Sequence, residues 1–284
     1  MIVCYAQGGG LGHLTRIRAY LHTCHGDEPA TILSTSPFTA DPRVLGPHRL
    51  MPTSALHTLR PSVLVVDAFP AGIDGSLSAA SVPPGTETVH LARLLRWDVY
   101  RPLMPPNPIR YDRIWAVEEL GDSPLTASGP LSLADPPAAE DPDPAGVADG
   151  AWLIVHSGPP AEIQELIGYA RDCANLEGAR PRFVLVAPHR PAGLPPDVGH
   201  LDPYPAWPLF ARAERVVTAA GFNAVRQMRP WRDRHLMLPF PRRFDDQFSR
   251  AARARPAAGR AGSFSRHFDE PPAPARPWTR RKVS

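Results

Sequence analysis

Three stretches of the sequence consist mainly of consecutive apolar residues: residues 62–67 (SVLVVD), 152–157 (WLIVHS) and 182–187 (RFVLVA). A strand that is apolar on both faces needs cover on both faces, and a parallel sheet flanked by helices provides it. Amphipathic segments follow these runs, on both sides of a segment at residues 133–150 that is rich in proline and acidic residues. We therefore predict an α/β protein with two doubly wound, Rossmann-like domains that face each other across a cleft.

The predicted organisation has an N-terminal domain at residues 1–132, a linker at 133–150 and a C-terminal domain at 151–255. Residues 256–284 are rich in Pro, Ala, Arg and Gly without a helical or strand period, which predicts a mobile, basic C-terminal tail. Strands are predicted at residues 2–6, 30–34, 62–67, 87–91, 113–117, 152–156, 182–187, 215–218 and 235–238, and helices at 14–23, 160–175, 207–213, 223–228 and 245–254.

Charge is distributed unevenly along the chain. The formal net charge is +3, but residues 250–284 hold nine Arg and Lys residues against Asp269 and Glu270. The preceding 249 residues are therefore slightly acidic, and we expect no nucleic-acid partner.

Cysteine content and hydropathy bear on location. The three cysteines, Cys4, Cys24 and Cys173, have no pair at metal-site spacing, which is typical of a reducing compartment. The sequence has no recognisable signal peptide and no apolar run long enough to span a membrane. We expect a cytoplasmic protein without a transmembrane segment, for which peripheral membrane contact through residues 101–109 (RPLMPPNPI) stays an option.

A glycine-rich turn, GGGLGH at residues 8–13, follows the first predicted strand. Gly9, Gly10 and Gly12 would let the backbone approach a ligand, and the free N–H groups of the following helix favour an anion or a polar sugar. A dinucleotide fingerprint would need glycine in place of His13 and an acid where Ser34 ends the second strand. A phosphate-binding P-loop would need Gly-Lys-Ser/Thr, so we predict no cofactor.

His13 and Asp67 are the candidate catalytic residues. The helix N-terminus disfavours imidazolium, so His13 should be neutral and able to accept a proton, although it could equally cap or pack against the turn. Asp67 ends a predicted parallel strand and points toward the crevice, where it could support His13 or act as the base itself. The alternative is that Asp67 caps the loop that follows.

The predicted C-terminal domain contains three further turns that each connect a strand to a helix. The turns lie at residues 156–160 (HSGPP), 219–225 (AAGFNAV) and 239–247 (PFPRRFDDQ). Side-by-side turns of this kind can hold a diphosphate and offer carboxylate and amide groups to sugar hydroxyls. The candidate donor-binding residues are Ser157, Gly158, Gly221, Phe222, Asn223, Gln227, Arg242, Asp246 and Gln247.

These turns, with GGGLGHLTR after the first strand, VVDAFP at 65–70 and GPL at 129–131, resemble the GT-B glycosyltransferases. Within that fold the chain resembles the branch of the lipid II N-acetylglucosaminyl transferase. The resemblance covers about residues 1–255. It implies an acceptor-binding N-terminal domain, a C-terminal domain that binds a nucleotide sugar, and inversion in one displacement without a metal.

The resemblance also implies roles for individual residues. His13 would lie on the acceptor side, the turn of Gly221, Phe222 and Asn223 at the diphosphate, and Asp246 with Gln247 at the donor sugar. The donor would be a UDP- or dTDP-sugar, and the acceptor is unknown.

Three features depart from the family pattern. Gln227 stands where the family has a glutamate for the ribose. The last 30 residues lack the apolar period of the C-terminal helix that crosses back to the first domain. The D-x-D pair, Asp141 and Asp143, lies in the linker and not at a strand end, so we predict no metal site there, and none at His22, Cys24 and His25.

Three functions are compatible with the sequence. An inverting glycosyltransferase acting on an acceptor hydroxyl or amine is favoured. A nucleotide-sugar hydrolase of the same superfamily would need a closed acceptor side, whereas a transferase needs a roomy or apolar groove. A catalytically weakened accessory or binding protein would bind nucleotide poorly and would not depend on His13.

Overall fold

The computed structural model describes residues 1–138, Val147 and residues 150–255. The predicted tail at 256–284 and the D-x-D pair, Asp141 and Asp143, lie outside the described residues. The predicted linker is described only in part.

Seven parallel strands form the first sheet, in the order β3-β2-β1-β4-β5-β6-β7. The chain moves outward from β1 to β3, then returns to place β4 on the other side of β1. Ligands of open α/β sheets bind at such a switch point, outside the carboxyl ends of the strands. The strands are β1 Ile2–Tyr5, β2 Thr31–Leu33, β3 Arg49–Met51, β4 Val63–Asp67, β5 Glu87–Ala92, β6 Arg113–Ala116 and β7 Gly129–Pro130.

Five parallel strands form the second sheet, in the order β10-β9-β8-β11-β12. Its switch point lies between β8 and β11, in the same topological position as that of the first sheet. The strands are β8 Trp152–Val155, β9 Phe183–Val186, β10 Val198–Leu201, β11 Arg215–Ala219 and β12 His235–Leu238.

Helices connect the strands and cover the sheets. The predicted helix at residues 207–213 is a 3-10 helix, Trp207–Arg212. The α-helices are α1 Leu11–His25, α2 Pro42–Leu45, α3 Trp97–Tyr100, α4 Pro160–Leu176, α5 Phe222–Gln227 and α6 Gln247–Ala254.

The central strands of the first sheet are buried on both faces, as the apolar runs predict. Cys4 and Val65 pack with Ile17 of α1 on one face of the first sheet. Val3 and Leu64, their neighbours along the strands, pack in a separate cluster on the other face. The structure confirms the predicted fold class of two Rossmann-like domains.

The two domains are joined by buried ion pairs. Arg250 of α6 pairs with Glu118, which follows β6 of the first sheet, at 2.7 Å. Asp245 pairs with Arg250 and, across the interface, with Arg93 at 3.1 Å. The helix α6 thus contacts the first domain through charged side chains.

Within the described residues, no helix has the length and apolarity needed to cross a membrane. In the stretch at residues 101–109, Ile109 is buried and Leu103 and Met104 pack against an interior cluster. The cytoplasmic location stays a prediction.

Candidate active site

A cavity of about 480 Å³ lies between the two domains, at the carboxyl ends of both sheets. Of the predicted site residues, eleven line it: Gly10, Gly12, His13, Ser157, Gly158, Gly221, Phe222, Asn223, Gln227, Arg242 and Gln247. Gly9 and Asp246 are not part of the lining, and Asp67 lies beneath His13. Turns from both domains therefore form one cavity.

His13 and Asp67 form a hydrogen-bonded pair at the first domain's switch point. His13 stands in the first turn of α1, and Asp67 is the last residue of β4. The distance from His13 Nδ1 to Asp67 Oδ2 is 2.7 Å. Since the carboxylate accepts a hydrogen bond, Nδ1 carries the proton and Nε2 is left with its lone pair.

Arg16 fixes the carboxylate from below. Its guanidinium donates through Nε to Asp67 Oδ1 and through Nη2 to Asp67 Oδ2, the latter at 2.7 Å. Both side chains are fully buried. Burial raises the pKa of Asp67, but the Arg16 charge and the hydrogen bond from His13 outweigh it, so the net pKa lies well below its ordinary value. Asp67 is therefore ionised.

His13 is held neutral. Burial lowers its pKa below the ordinary value, the hydrogen bond and charge of Asp67 act in the opposite direction, and the charges of Arg16 and Arg93 lower it further. At physiological pH the imidazole can accept a proton at Nε2, and Asp67 then stabilises the imidazolium that forms.

Gly8 makes room for the histidine ring. Its φ is +150°, and a Cβ at this position would lie 2.5 Å from His13 Nε2. A Cβ at Gly9 would meet no atom within 4 Å. The glycine that the ring requires is therefore Gly8, which precedes the three glycines singled out from the sequence.

The turn at the start of α5 contacts the first domain directly. Asn223 Nδ2 donates to the Gly12 carbonyl oxygen at 2.8 Å. Phe222 packs in the first domain's core cluster, with the Arg16 guanidinium 5.3 Å from its ring centroid. Space is open above Gly221.

Gln227, at the end of α5, is bonded to a carboxylate. Its Nε2 donates to Asp135 Oδ1 at 3.1 Å, and Arg226 pairs with the same oxygen at 2.7 Å. Asp135 belongs to the described part of the predicted linker. The side chain of Gln227 is thus held by a carboxylate that is also paired with an arginine.

A second histidine–carboxylate–arginine cluster lies on the opposite wall. His156 Nε2 is 2.8 Å from Glu162 Oε2, and Arg242 binds both oxygens of Glu162. His156 directly follows β8, and Glu162 lies in the first turn of α4. Arg242 is therefore compensated by a carboxylate before any ligand binds.

The acidic turn before α6 has structural contacts. Asp246 caps α6 by accepting from the Ser249 backbone N–H at 3.0 Å and from its hydroxyl at 2.6 Å. The Oε1 of Gln247 accepts the Phe240 backbone N–H at 3.0 Å. Asp245, and not Asp246, lines the cavity.

Several residues of this site were not among those predicted from the sequence. Arg16 stands three positions after His13, on the same helix face, so its spacing was an available signal. His156 and Asp245 lie in turns that were recognised from the sequence, but the adjacent residues Ser157 and Asp246 were predicted to bind the donor instead. Asp135 and Glu162 gave no comparable signal, because their arginine partners lie 91 and 80 positions away in the sequence.

Over the part of the chain that the structure describes, no cluster of three or more His, Cys, Asp or Glu residues could hold a metal ion.

Solved structures share this architecture. The spinosyn rhamnosyltransferase SpnG is 14% identical, with a TM-score of 0.57, and the match covers 84% of this chain and 81% of that chain. SpnG complexed with thymidine diphosphate gives a TM-score of 0.54 at 14% identity, covering 89% of this chain and 84% of that chain. SsfS6, a glycosyltransferase from Streptomyces sp. SF2575, gives 0.55 at 10% identity, covering 89% and 84%.

These likenesses establish the fold: the chain has the GT-B architecture of two Rossmann-like domains across a cleft. The sequence matches no protein-family model, and the comparison with curated proteins found no match.

Proposed function

We propose that the protein is a glycosyltransferase that moves a sugar from a nucleoside-diphosphate sugar to an acceptor hydroxyl or amine. The observation that carries the proposal is the interdomain cavity, with the His13–Asp67 pair on its first-domain wall. Proteins of one fold perform many functions, and the residues of this site are what favour glycosyl transfer.

His13 is the proposed general base. Its Nε2 accepts the proton of the acceptor hydroxyl or amine as the acceptor attacks the anomeric carbon of the donor. Asp67 holds the ring in the required tautomer and balances the positive charge. The bond from the anomeric carbon to the phosphate oxygen breaks, and a nucleoside diphosphate leaves.

The second domain is the proposed donor side. The turns at Ser157 and Gly158 and at Gly221 line the cavity, and their backbone can approach a diphosphate. The SpnG complex with thymidine diphosphate supports a nucleotide donor, and a UDP- or dTDP-sugar is our proposal. The finer resemblance, to the lipid II N-acetylglucosaminyl transferase branch, stays part of this proposal.

We further propose inversion by one displacement, without a metal. A retaining route through a covalent intermediate needs a free carboxylate nucleophile. Among the described residues the carboxylates that line the cavity are Asp41, Asp202 and Asp245, and all three are paired with arginine. Basic side chains and backbone N–H groups would then stabilise the leaving diphosphate.

The first-domain wall favours a transferase over a hydrolase. Leu11, Phe38, Phe69 and Ile73 line the cavity there and give it an apolar acceptor side. A hydrolase needs room only for water beside His13, whereas an apolar wall can bind an organic acceptor.

The test is calorimetric binding of UDP-, dTDP- and GDP-sugars and of the free nucleotides, with product analysis of each binder in buffer without acceptor. Binding without sugar release is the expected result, and it identifies the donor class. Rapid release without acceptor would favour the hydrolase. Absence of nucleotide binding would overturn the proposal and favour the accessory protein.

A further inference from the structure

The arginines that line the cavity are mostly neutralised within the protein. Arg16 is paired with Asp67, Arg93 with Asp245 and Arg242 with Glu162. In the described part of the chain, Arg243 is the cavity arginine without a carboxylate partner, and its guanidinium lies 4.7 Å from the Phe244 ring centroid. A diphosphate carries at least about two negative charges, so it exceeds the available positive charge.

His156 is the group on the second-domain wall that can add charge. Its side chain is 9% exposed and lines the cavity. Nε2 is engaged by Glu162 at 2.8 Å, and a Cβ at Gly158 would overlap this nitrogen, so the ring position depends on both neighbours. Because the Glu162 carboxylate accepts a hydrogen bond from Nε2–H, the neutral ring leaves Nδ1 as an acceptor. No partner for Nδ1 is found among the described residues.

The groups around His156 bias it toward the neutral form in the free protein. Burial is the main cause that lowers its pKa, the hydrogen bond and charge of Glu162 raise it, and the charge of Arg242 lowers it. Phe240 adds an apolar ring, 5.9 Å away between centroids. With Arg242 and Glu162 cancelling, the cluster carries no net charge until His156 gains a proton.

We propose that His156 binds the diphosphate of the nucleotide and takes up one proton from solvent as it does so. The proton adds to Nδ1, and the resulting N–H donates to a phosphate oxygen, while Nε2–H continues to donate to Glu162. No covalent bond to the ligand forms, and the proton returns to solvent when the nucleotide leaves. The inference rests on the proposed function, and it gives the donor side a charge that is assembled only on binding.

The affinity of the protein for nucleotide should depend on pH. An anion beside Nδ1 favours imidazolium, so the affinity for nucleotide rises as pH falls through the range between the two His156 pKa values, free and bound. The same charge would favour the leaving diphosphate during transfer.

The experiment is calorimetric titration of the purified protein with dTDP and with UDP, at about pH 7.5, in several buffers that differ in ionisation enthalpy. The terminal phosphate of the ligand is mostly ionised there. The dependence of observed enthalpy on buffer enthalpy gives the protons taken up. Wild-type protein should take up a measurable fraction of a proton, at most about one per nucleotide.

Variants assign the proton to its residue. His156→Gln keeps a donor in the place of Nε2 for Glu162 but removes Nδ1, and it should lose the proton uptake and about tenfold in affinity. His156→Asn puts a neutral amide near Nδ1 and should restore part of the affinity without the pH dependence. His189→Asn, at an exposed histidine of the same domain, is the matched control and should behave as wild type.

The outcomes separate the two claims. If wild-type protein binds nucleotide but takes up no more protons than His156→Gln does, the inference is overturned. The proposed function then still stands. Failure of both nucleotides to bind wild type overturns the proposed function and the inference with it. If His156→Gln does not fold, His156→Asn gives the same comparison.

Discussion

The side-chain amide of Asn223 donates a hydrogen bond of 2.8 Å to the carbonyl oxygen of Gly12, and it joins the turn before α5 to the turn before α1. Asn223 Oδ1, in contrast, is buried and has no hydrogen-bond partner in the described residues. The residues expected on the donor side thus touch the segment that carries His13. A displacement of one turn should therefore also displace the other.

His13→Ala should lower turnover by about a hundredfold or more while donor affinity stays nearly unchanged, because the variant removes a proton acceptor and not a binding group. Initial rates with the donor found by calorimetry, combined with binding of the same donor, test this. Wild-type turnover in the variant would remove His13 from the role of base.

Gly8→Ala should reduce turnover strongly, by about tenfold or more, because the added Cβ would displace the His13 ring and the backbone φ of +150° disfavours a side chain. Gly9→Ala is the matched control, because a Cβ there meets nothing within 4 Å. Steady-state kinetics of the two variants should therefore differ. Equal activity would mean that the ring position does not matter.

The pH profile of kcat/KM should show an acid limb from His13. Its pKa is lowered, mainly by burial, so activity is retained down to a pH below the ordinary histidine value of 6.5 and falls as the ring gains a proton. Asp67 raises that pKa, so Asp67→Asn should shift the limb to lower pH and cut turnover by about a hundredfold or more. If the acid limb of Asp67→Asn does not shift, the limb belongs to a group other than His13. Asp67→Asn should fold, because the Asn side chain can still accept a hydrogen bond from Arg16. Circular dichroism checks that the variant is folded.

Gly221→Val should abolish nucleotide binding without unfolding the protein. The position has φ −71° and open space above it, so the side chain would enter the cavity and not the core. Calorimetry with dTDP and UDP, together with the thermal unfolding midpoint, measures both effects. Unchanged binding would place the nucleotide elsewhere.

Glu118→Gln should lower the free energy of unfolding by about 2–3 kcal/mol, because Arg250 is 4% exposed and loses one of its two carboxylates. Asp245 still pairs with Arg250 and limits the loss. Glu119→Gln, where an exposed pair spans 4.0 Å, should cost less than about 0.5 kcal/mol. Urea unfolding of both variants tests the difference, and similar losses would argue against a stabilising role for the interdomain pair.

All nine predicted strands coincide with observed ones, and the central strands, such as β4 and β8, are apolar runs that the structure buries almost completely. Three strands were missed, for local reasons. β3 is exposed at Arg49 and Leu50, β7 is only Gly129–Pro130, and β10 is mostly half-buried. Such segments join a sheet through backbone hydrogen bonds to a neighbouring strand, and the pattern of their side chains does not predict that pairing.

The candidate site was only partly predictable. Asp67 could be selected because it ends a parallel strand, and His13 because it lies at the helix start after the glycine-rich turn that follows β1. Their pairing depends on β4 returning beside β1, 54 positions away in sequence. The contacts of Arg250 with Glu118 span 132 positions, and no local pattern marks them.

The shared carboxylate Asp245 has a mechanical consequence. It pairs with Arg93 of one domain and with Arg250 of α6, so a small separation of the domains leaves the buried Arg93 guanidinium without its carboxylate partner. Separation of the domains should therefore cost free energy at this contact, and we expect relative domain motion to populate two positions, paired and separated. A single-molecule distance measurement between labels on α1 and α4 should then give two discrete populations, whereas one broad distribution would indicate a freely sliding interface.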